Sequence, residues 1–359
     1  MISCAPLVLR RFAEAPADGQ ARTRSKETNW EIMLLNILMI VGGIALVLWG
    51  ADRLTDGAVG IAERLCIPQI IIGLTVVAMG TSMPEFCVSL VSAVKGTPDL
   101  AVGNVVGSNV FNTLLIVGVA SLVAPITILR TTVRKDIPFA VMASAWLVII
   151  SGDSNLSRFD AATLFFLFLA FMYISVKGAM GEGAKKQATD GTMSTTIDGE
   201  IEETEEGRKR VPLWKSVGLI VLGLACLVGG SNIFVEGATE VAAALGVSDA
   251  VIGLTVVAMG TSMPELATTV VSARKGNSGI AIGNVLGSNV FNILMVLGLT
   301  GIICPMTIQG ITQVDFTVLV GSMILLWLFS FTKLTIQRWE GAVLTIIFMA
   351  YLVWLIVNV

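Results

Sequence analysis

Residues 71–96 read IIGLTVVAMGTSMPEFCVSLVSAVKG, and residues 251–276 read VIGLTVVAMGTSMPELATTVVSARKG. A second stretch also recurs, because AVGNVVGSNVFNTLLIVG at 101–118 returns as AIGNVLGSNVFNILMVLG at 281–298. Both pairs are separated by 180 residues, and 31 of the 48 positions from 71 to 118 are identical to their counterparts without a gap. The chain is therefore an internal duplication, and its two halves should share one fold.

The composition is that of a membrane protein. Charged residues make up 14% of the chain, hydrophobic residues 55%, and the mean hydropathy is +0.84. Helices need about 20 apolar residues to cross the hydrocarbon core, and the apolar runs here are continuous, whereas a β-barrel would show short alternating segments. We therefore predict an all-α, polytopic membrane protein with ten transmembrane helices, near residues 31–52, 68–94, 101–123, 135–151, 159–178, 214–240, 248–272, 281–303, 315–332 and 338–358.

The ten predicted spans divide into five for each half. Since five is odd, the second half enters the membrane from the opposite side, and the two five-helix repeats are inverted. The predicted segments are an N-terminal tail, disordered or not native, at 1–32, a first membrane repeat at 33–178, a polar linker at 179–213 and a second membrane repeat at 214–359. Basic residues concentrate in the loops on the linker side, which predicts a cytoplasmic linker; the basic tail argues the other way.

Two glutamates stand alone inside predicted spans. Glu85 is the only charged residue between Arg64 and Lys95, and Glu265 is the only one between Asp249 and Arg274. An ionised carboxylate at this depth costs several kcal/mol unless a cation or a donor meets it. No lysine or arginine lies inside a neighbouring span, so these two carboxylates are the best candidates for a cation site.

Each glutamate follows the sequence Gly-Thr-Ser-Met-Pro, which supplies neutral oxygen ligands. Proline lacks an N–H and clashes with the carbonyl one turn back, so it should free backbone carbonyls near Ala78 and Thr81, and near Ala258 and Thr261. The side chains that add hydroxyl oxygens are Thr81, Ser82, Thr261 and Ser262. Carboxylate, carbonyl and hydroxyl oxygens are hard ligands, which suit Ca²⁺ and Na⁺.

The second repeated motif, GNVVGSNVFN and GNVLGSNVFN, lies in stretches without any charge. Ser108 and Asn112 are four residues apart and share one helical face, as do Ser288 and Asn292. We expect these four side chains to face the site, while the glycines of the motif allow close helix packing. The other asparagines are open between ligand, support for a ligand and packing: Asn104, Asn109, Asn284 and Asn289.

Other side chains exclude several kinds of site. The chain has no histidine, which removes the commonest zinc ligand and proton shuttle. Its five cysteines are scattered without a CxxC spacing, and we predict that they are buried, inert thiols. We predict no cofactor, no nucleic acid and no protein partner; the partners are the lipid bilayer and the transported ions.

With its paired GTSxPE and GSNxFN motifs, the chain resembles the cation/calcium exchanger superfamily, and within it the prokaryotic sodium/calcium exchangers. The resemblance extends over nearly all of residues 33–358. It implies ten helices in two inverted repeats, an antiporter in the inner membrane of a prokaryote, and a first and a sixth span that slide across a rigid core to give alternating access.

The resemblance also implies a ligand set for each ion. Calcium would be bound by the carboxylates of Glu85 and Glu265 and the carbonyls of Thr81 and Thr261. One sodium site would be formed by Ala78, Thr81, Ser82, Ser108 and Glu265. Its counterpart would be formed by Ala258, Thr261, Ser262, Ser288 and Glu85. A central site would involve Asn112 and Asn292.

One departure from the family pattern concerns this central site. Some members carry an aspartate at one of the positions that match Asn112 and Asn292, and potassium-dependent relatives have acidic substitutions in this region. Here both are asparagine, so the core offers two formal negative charges, enough for one Ca²⁺ or two Na⁺. This argues against potassium dependence and leaves the stoichiometry open.

Three other functions are weighed against a Ca²⁺/Na⁺ antiporter. A Ca²⁺/H⁺ antiporter of the same superfamily is the first alternative, but such relatives usually carry GNxxE-type motifs, often with a nearby histidine. A cation channel would use rings of ligands around a pore, and one glutamate in each inverted half suits alternating access better. An intramembrane enzyme lacks a histidine base, paired aspartates and a nucleophile elbow, so we expect no enzymatic activity.

Overall fold

The computed structural model describes residues 26–190, 212–246 and 258–358, and it is predominantly helical. The elements of the first half are α1, Lys26–Leu65; α2, Gln69–Ile72; π1, Gly73–Val77; α3, Ala78–Thr81; α4, Met83–Val94; α5, Pro98–Val110; π2, Phe111–Ile116; α6, Val117–Val123; β1, Ile126–Thr127; α7, Arg130–Arg134; α8, Asp136–Ile150; β2, Asn155–Leu156; and α9, Arg158–Asp190. Those of the second half are α10, Leu213–Ala244; α11, Ala258–Thr261; α12, Met263–Arg274; α13, Ser278–Val290; π3, Phe291–Val296; α14, Leu297–Ile303; β3, Met306–Thr307; α15, Gln313–Ser330; β4, Thr335–Ile336; and α16, Arg338–Asn358.

Several helices are long and apolar enough to cross a membrane. In the described residues seven helices meet this test, or eight if Gln69–Thr81 and Met83–Val94, which are bent by 46° at their junction, form one span. Large apolar side chains cover the outside of the bundle, including Leu34, Ile149, Phe166, Val221 and Ile346. An outer surface of this kind is stable against lipid and not against water.

The helix bounds differ from the predicted spans in a few places. Helix α1 is longer at both ends, beginning at Lys26 inside the predicted tail, and α9 continues to Asp190 inside the predicted linker. Helix α8 has only 15 residues. The predicted span at 248–272 is described from Ala258 onward, and the predictions for 1–25 and 191–211 fall outside the described residues.

Helices α1 and α10 pack against each other in opposite directions through small residues. A Cβ atom added at Gly50 would lie 2.8 Å from the carbonyl oxygen of Gly223, so only glycine allows this approach. Near the other end of the contact, a Cβ atom at Gly57 would lie 2.7 Å from the carbonyl oxygen of Ser216. The start of α10, which follows the linker, therefore lies beside the final third of α1.

Two short antiparallel ribbons join the two halves. Strand β1 pairs with β4, so that Ile126 faces Ile336, and β2 pairs with β3, so that Asn155 faces Thr307. The 180-residue offset of the sequence repeat relates β1 to β3 and β2 to β4. Each ribbon thus combines a strand from one half with a strand from the other, as expected for two halves related by a twofold axis.

The prediction of buried cysteines is wrong for the residues described. Cys66, Cys226 and Cys304 are only partly buried, and Cys87 is exposed. Cys87 lies on α4. An apolar stretch of sequence does not by itself predict burial in this bundle, because apolar side chains cover its outer surface as well as filling its core. Cys4 lies outside the described residues.

Candidate ion-binding site

The site is built around a break in each of two helices. Helix α3 ends at Thr81 and α4 begins at Met83, with Ser82 at the break in a non-helical conformation (φ −84°, ψ 7°) and Pro84 in the first turn. Proline is tolerated there because the first N–H groups of a helix have no intrahelical partner. The second half repeats the break at Ser262 (φ −92°, ψ 7°).

The break places each glutamate in the first turn of a helix. Glu85 lies in the first turn of α4 and Glu265 in the first turn of α12. The partial positive charge at a helix N-terminus stabilises a carboxylate at this position. Both glutamates have an exposed fraction of 0%, so the helix ends compensate part of the cost of burying two acids.

A serine of each half donates a hydrogen bond to the glutamate of the other half. The Ser82 hydroxyl donates to Glu265 Oε1 over 2.9 Å, and the Ser262 hydroxyl donates to Glu85 Oε1 over 3.0 Å. In the sequence these residues are related only because they belong to the repeated motif. In the structure the two hydrogen bonds join residues that are 183 and 177 positions apart in the chain. Both glutamates therefore belong to one site between the halves.

The threonines of the motif lie close to the same carboxylates. Thr81 interacts with Glu265, and Thr261 interacts with Glu85. The Thr81 hydroxyl also lies 3.1 Å from the Asn284 Oδ1 atom, to which it donates. Thr and Ser of one half thus lie beside Glu of the other half, the combination that each predicted sodium set contains; the binding of sodium there stays a prediction.

Ser108 differs from its predicted grouping. It was placed with Ser82 and Glu265, but its hydroxyl lies 3.4 Å from that of Ser262, which belongs to the other set. Ser288, the counterpart of Ser108, is buried and its hydroxyl has no hydrogen-bond partner. The helical-face argument could predict that Ser108 is near the site, but not which half supplies its neighbour.

The structure contradicts the predicted release of a backbone carbonyl at Ala78; release at the other positions stays a prediction. The Ala78 carbonyl accepts hydrogen bonds from the Ser82 N–H over 3.0 Å and from the Thr81 hydroxyl over 3.3 Å, so it is not freed. In the second half the Ser231 hydroxyl of α10 donates to the carbonyl of Gly260, four residues before Pro264. Ala258 begins α11, and its side chain lies outside the described ones.

Two asparagines that the sequence left open support the glutamate backbone. Asn104 donates from Nδ2 to the Glu85 carbonyl over 3.2 Å and to the Ser89 hydroxyl over 2.9 Å. Asn284 donates in the same way to the Glu265 carbonyl over 3.3 Å and to the Thr269 hydroxyl over 3.0 Å. They fix the helices that carry Glu85 and Glu265.

The central asparagines are not equivalent. Asn112 lies in π2 and donates from Nδ2 to Asn289 Oδ1 over 3.1 Å, and Asn289 Nδ2 donates to the Thr113 hydroxyl over 2.8 Å. Its counterpart Asn292, in π3, is fully buried, and neither of its amide atoms is hydrogen-bonded. Asn109, the counterpart of Asn289, donates to the Val105 carbonyl, and its Oδ1 atom also has no partner. Asn112 is thus held in one orientation by its hydrogen bond to Asn289. The sequence alone does not show whether Asn289 is a ligand or supports one.

Several buried acceptors at this site have no hydrogen-bond partner. They are Glu85 Oε2, Glu265 Oε2, Asn112 Oδ1, Asn292 Oδ1 and the Ser288 hydroxyl. Each buried polar atom without a partner costs about 1–3 kcal/mol. Each of them presents an oxygen that can coordinate a cation, and two carboxylates with neutral oxygens are the donor set that Ca²⁺ and Na⁺ prefer. The Nδ2 atom of Asn292, a donor, also has no partner. In the described part of the chain, no group of three or more His, Cys, Asp or Glu side chains offers another metal site.

Comparison with known proteins identifies the family. The family described as sodium/calcium exchanger protein matches residues 35–177 and again residues 215–357. The chain belongs to this family. The two matches cover the two halves of the sequence repeat, so the duplication is a feature that the chain shares with the family.

The chain is similar along almost its whole length to several curated members. It is 37% identical to the putative antiporter CaxA of Alkalimonas amylolytica, over 89% of this chain and 98% of that protein. It is also 37% identical to the inner membrane protein YrbG of Escherichia coli K12, over 90% and 98%. The sodium/calcium exchanger MaX1 of Methanosarcina acetivorans is 32% identical, over 90% and 99%.

A solved transporter has the same fold. The sodium-calcium exchanger NCX_Mj, in crystals soaked with zero Na⁺ and Ca²⁺, aligns with a TM-score of 0.75 and 27% identity, over 90% of this chain and 99% of that one. The resemblance predicted from the GTSxPE and GSNxFN motifs is confirmed: the chain is a member of the prokaryotic sodium/calcium exchanger group. The family is one of membrane transporters that handle Ca²⁺ and Na⁺.

Proposed function

We propose that this protein is a secondary active antiporter that exchanges Ca²⁺ for Na⁺ by alternating access. The observation that carries the proposal is the reciprocal pair, in which Glu85 and Glu265 are fully buried, each is bonded to a serine of the other half, and each keeps one free oxygen. Two carboxylates balance one Ca²⁺ or two Na⁺. Because both ions need the same two side chains, they exclude each other, and this exclusion couples their fluxes.

For the ions we propose the ligand sets predicted from the sequence, with one change. Calcium is bound by Glu85, Glu265, Thr81 and Thr261. The hydroxyls of Ser82, Ser262 and Ser108 favour sodium over protons as the driving ion, because neutral oxygens are ligands for a hard metal cation, whereas a proton needs only the carboxylates. The change concerns Ser108, which we assign to the set of Ser262 and Glu85 on its 3.4 Å contact; Ser288 then joins the set of Ser82 and Glu265 by symmetry.

For the architecture we propose ten transmembrane helices in two inverted five-helix repeats. The support is the sequence repeat, the strand ribbons that pair opposite halves, and the antiparallel contact of α1 with α10. The segments are a tail at 1–32, repeats at 33–178 and 214–359, and a linker at 179–213. We place the protein in the inner membrane of a prokaryote with the linker in the cytoplasm, on the loop charges and the likeness to an inner membrane protein.

The proposal makes no use of a cofactor, a protein partner or an enzymatic step. The two oxygen sets and the paired acids account for ion binding by themselves, and the bilayer and the two ions are the only partners proposed. The Ca²⁺/H⁺ antiporter is the competing function, and the cation channel is a weaker one.

Binding and counter-flux together test the proposal. Purified protein should bind ⁴⁵Ca²⁺, and added Na⁺ should displace it at constant pH. In vesicles, ⁴⁵Ca²⁺ uptake should require Na⁺ or Ca²⁺ on the opposite side. Uptake that needs no cation on the opposite side would show a channel, and calcium binding that Na⁺ leaves unchanged would contradict a shared site.

A further inference from the structure

An ionic cluster joins α1 to the end of the helix that carries Glu265. Lys275 directly follows α12, and its Nζ atom lies 2.6 Å from Asp52 Oδ1 and 2.7 Å from Asp56 Oδ1. The same atom lies 3.4 Å from the Asp52 carbonyl oxygen. Asp52 and Asp56 are four residues apart and share one face of α1. We call these three residues the ionic cluster.

A buried contact between the same two helices lies next to the cluster. The hydroxyls of Thr55 and Ser272 are 3.0 Å apart, and both side chains have an exposed fraction of 0%. The members of the cluster are a third to nearly half exposed, with side-chain exposures of 30% for Lys275, 37% for Asp52 and 44% for Asp56. The cluster therefore closes the outer end of a dry contact between α1 and α12.

The titration of Lys275 is consistent with this arrangement. Partial burial lowers the pKa of Lys275, but its hydrogen bonds with Asp52 and Asp56 and the charges of these two acids more than compensate, so the net pKa is raised above its ordinary value. The lysine is therefore charged at every physiological pH.

The other end of the molecule lacks this contact, although the sequence repeat supplies similar residues. The 180-residue offset places Lys95, Glu236 and Asn232 at the positions of the three cluster members, and Ser92 and Val235 at those of the buried hydroxyl pair. Lys95, Glu236 and Asn232 are all exposed, and in the described part of the chain no ion pair joins Lys95 to Glu236. One end of a duplicated structure is thus closed by an ionic cluster, and at the equivalent end the described counterparts of its members form none.

This difference is what a two-state transporter with inverted halves should show. A contact made at one end in one state should have a counterpart at the other end in the other state. We propose that Lys275, Asp52 and Asp56 form an ionic latch that keeps the end of the molecule next to the linker closed, and that Lys95 and Glu236 form the counterpart latch when the opposite end closes. This inference rests on the alternating access of the proposed function.

The two latches have unequal strength. The first combines one lysine with two aspartates, while Asn232 leaves the counterpart with a single acid. The state with the linker-side end closed is therefore favoured when no ion is bound. When this latch opens, Asp52 and Asp56 lose their lysine partner, and their negative charge raises the local concentration of cations at that end of the molecule.

Deuterium exchange of the intact protein in lipid nanodiscs, without Na⁺ or Ca²⁺, tests the latch. Lys275→Gln should raise exchange in 50–65 and 263–275, and it should lower exchange in 84–96 and 230–244, because closing one end is coupled to opening the other. Since partly exposed ion pairs are weak, we expect a population shift of about twofold to fivefold. Loss of a purely structural contact would raise exchange at its own end and leave the other end unchanged, which would overturn the proposal.

Matched variants separate the latch from charge and from folding. Arg274→Gln removes the neighbouring exposed cation and should change neither end. Lys95→Gln should give no shift in the ion-free protein or a shift toward the state described here, and Asn232→Asp should shift the population in the same direction as Lys275→Gln. The charge exchange Asp56→Lys with Lys275→Glu should restore the parental pattern. A shift by Arg274→Gln as large as that by Lys275→Gln, or no effect of Asn232→Asp, would contradict the proposal.

The outcome is independent of the transport assay. Deuterium exchange needs no gradient and no flux, so the latch can fail while sodium-driven calcium release is observed. If the latch is observed and sodium does not drive calcium release, the coupling ion of the proposed function is wrong and the latch is retained.

Discussion

Replacing Glu265 with glutamine removes one of the two formal charges at the site while keeping its shape. Glutamine retains an oxygen that can accept the 2.9 Å hydrogen bond from Ser82, and it fits the same fully buried position. The perturbation is therefore confined to the charge that faces the ion. The same reasoning applies to Glu85→Gln, whose oxygen can accept from Ser262 over 3.0 Å.

The size of the effect follows from burial. Both carboxylates have an exposed fraction of 0%, so water cannot replace the missing charge around a dehydrated divalent ion. Removing one partner of a buried charge pair costs about 3–5 kcal/mol, which corresponds to a loss of roughly two to four orders of magnitude in calcium affinity. Exchange should therefore be abolished at ordinary calcium concentrations.

The assay is ⁴⁵Ca²⁺ exchange in vesicles, with protein insertion and thermal stability measured in parallel. Glu340→Gln is the matched control, because Glu340 is also fully buried but lies at the start of α16, where it accepts from the Gln337 N–H over 2.7 Å. The control should retain exchange. If the Glu85→Gln, Glu265→Gln double variant exchanges calcium at near the parental rate, the two carboxylates do not form the site.

Three further predictions follow from the site and the packing. Ser82→Ala removes a hydrogen bond to a charged group, worth about 1.5–3 kcal/mol, and should weaken the apparent sodium affinity by roughly tenfold or more while the calcium affinity falls less. The control is Ser144→Ala, which should change neither affinity because the Ser144 hydroxyl donates to a carbonyl of its own helix. Equal losses of affinity for both ions in Ser82→Ala would contradict separate sodium ligands. Gly50→Ala should destabilise the protein by about 1–3 kcal/mol through overpacking against Gly223. A Cβ atom at Gly42 meets no atom within 4 Å, so Gly42→Ala should not lower the melting temperature. Equal melting temperatures for the Gly50→Ala and Gly42→Ala variants would refute the close contact of α1 and α10. Acidifying both sides should inhibit exchange with either ion, because a protonated carboxylate no longer neutralises a cation, and transport that is insensitive down to the pH of protein unfolding would contradict this.

Much of the site could be predicted from the sequence because charge inside a membrane is rare. Glu85 and Glu265 stand out by depth and by duplication alone, and the structure places both in one buried site. The position of the helix break was also accessible, since Pro84 and Pro264 fix it. Their roles as ion ligands stay predictions.

The remaining features depend on contacts between distant parts of the chain. The sequence does not distinguish a ligand from its support, and only the fold shows that Asn104 and Asn284 donate hydrogen bonds to the glutamate carbonyls. It also could not show that Ser108 faces Ser262, because the helical period gives a face and not a neighbour. The sequence repeat also shows that Lys275 and Lys95 occupy equivalent positions. Only the fold shows that Lys275 is paired with Asp52 and Asp56.

The central claim is that sodium, and not a proton, drives calcium across the membrane through this site. The most direct measurement loads vesicles that contain the protein with ⁴⁵Ca²⁺ and follows its release when external Na⁺ is added, with equal pH on both sides and the membrane potential clamped. Rapid release on addition of Na⁺, absent with choline and absent in the Glu85→Gln, Glu265→Gln double variant, is the predicted result. Release driven by a pH gradient, with no response to Na⁺, would contradict the account and establish a proton-coupled antiporter.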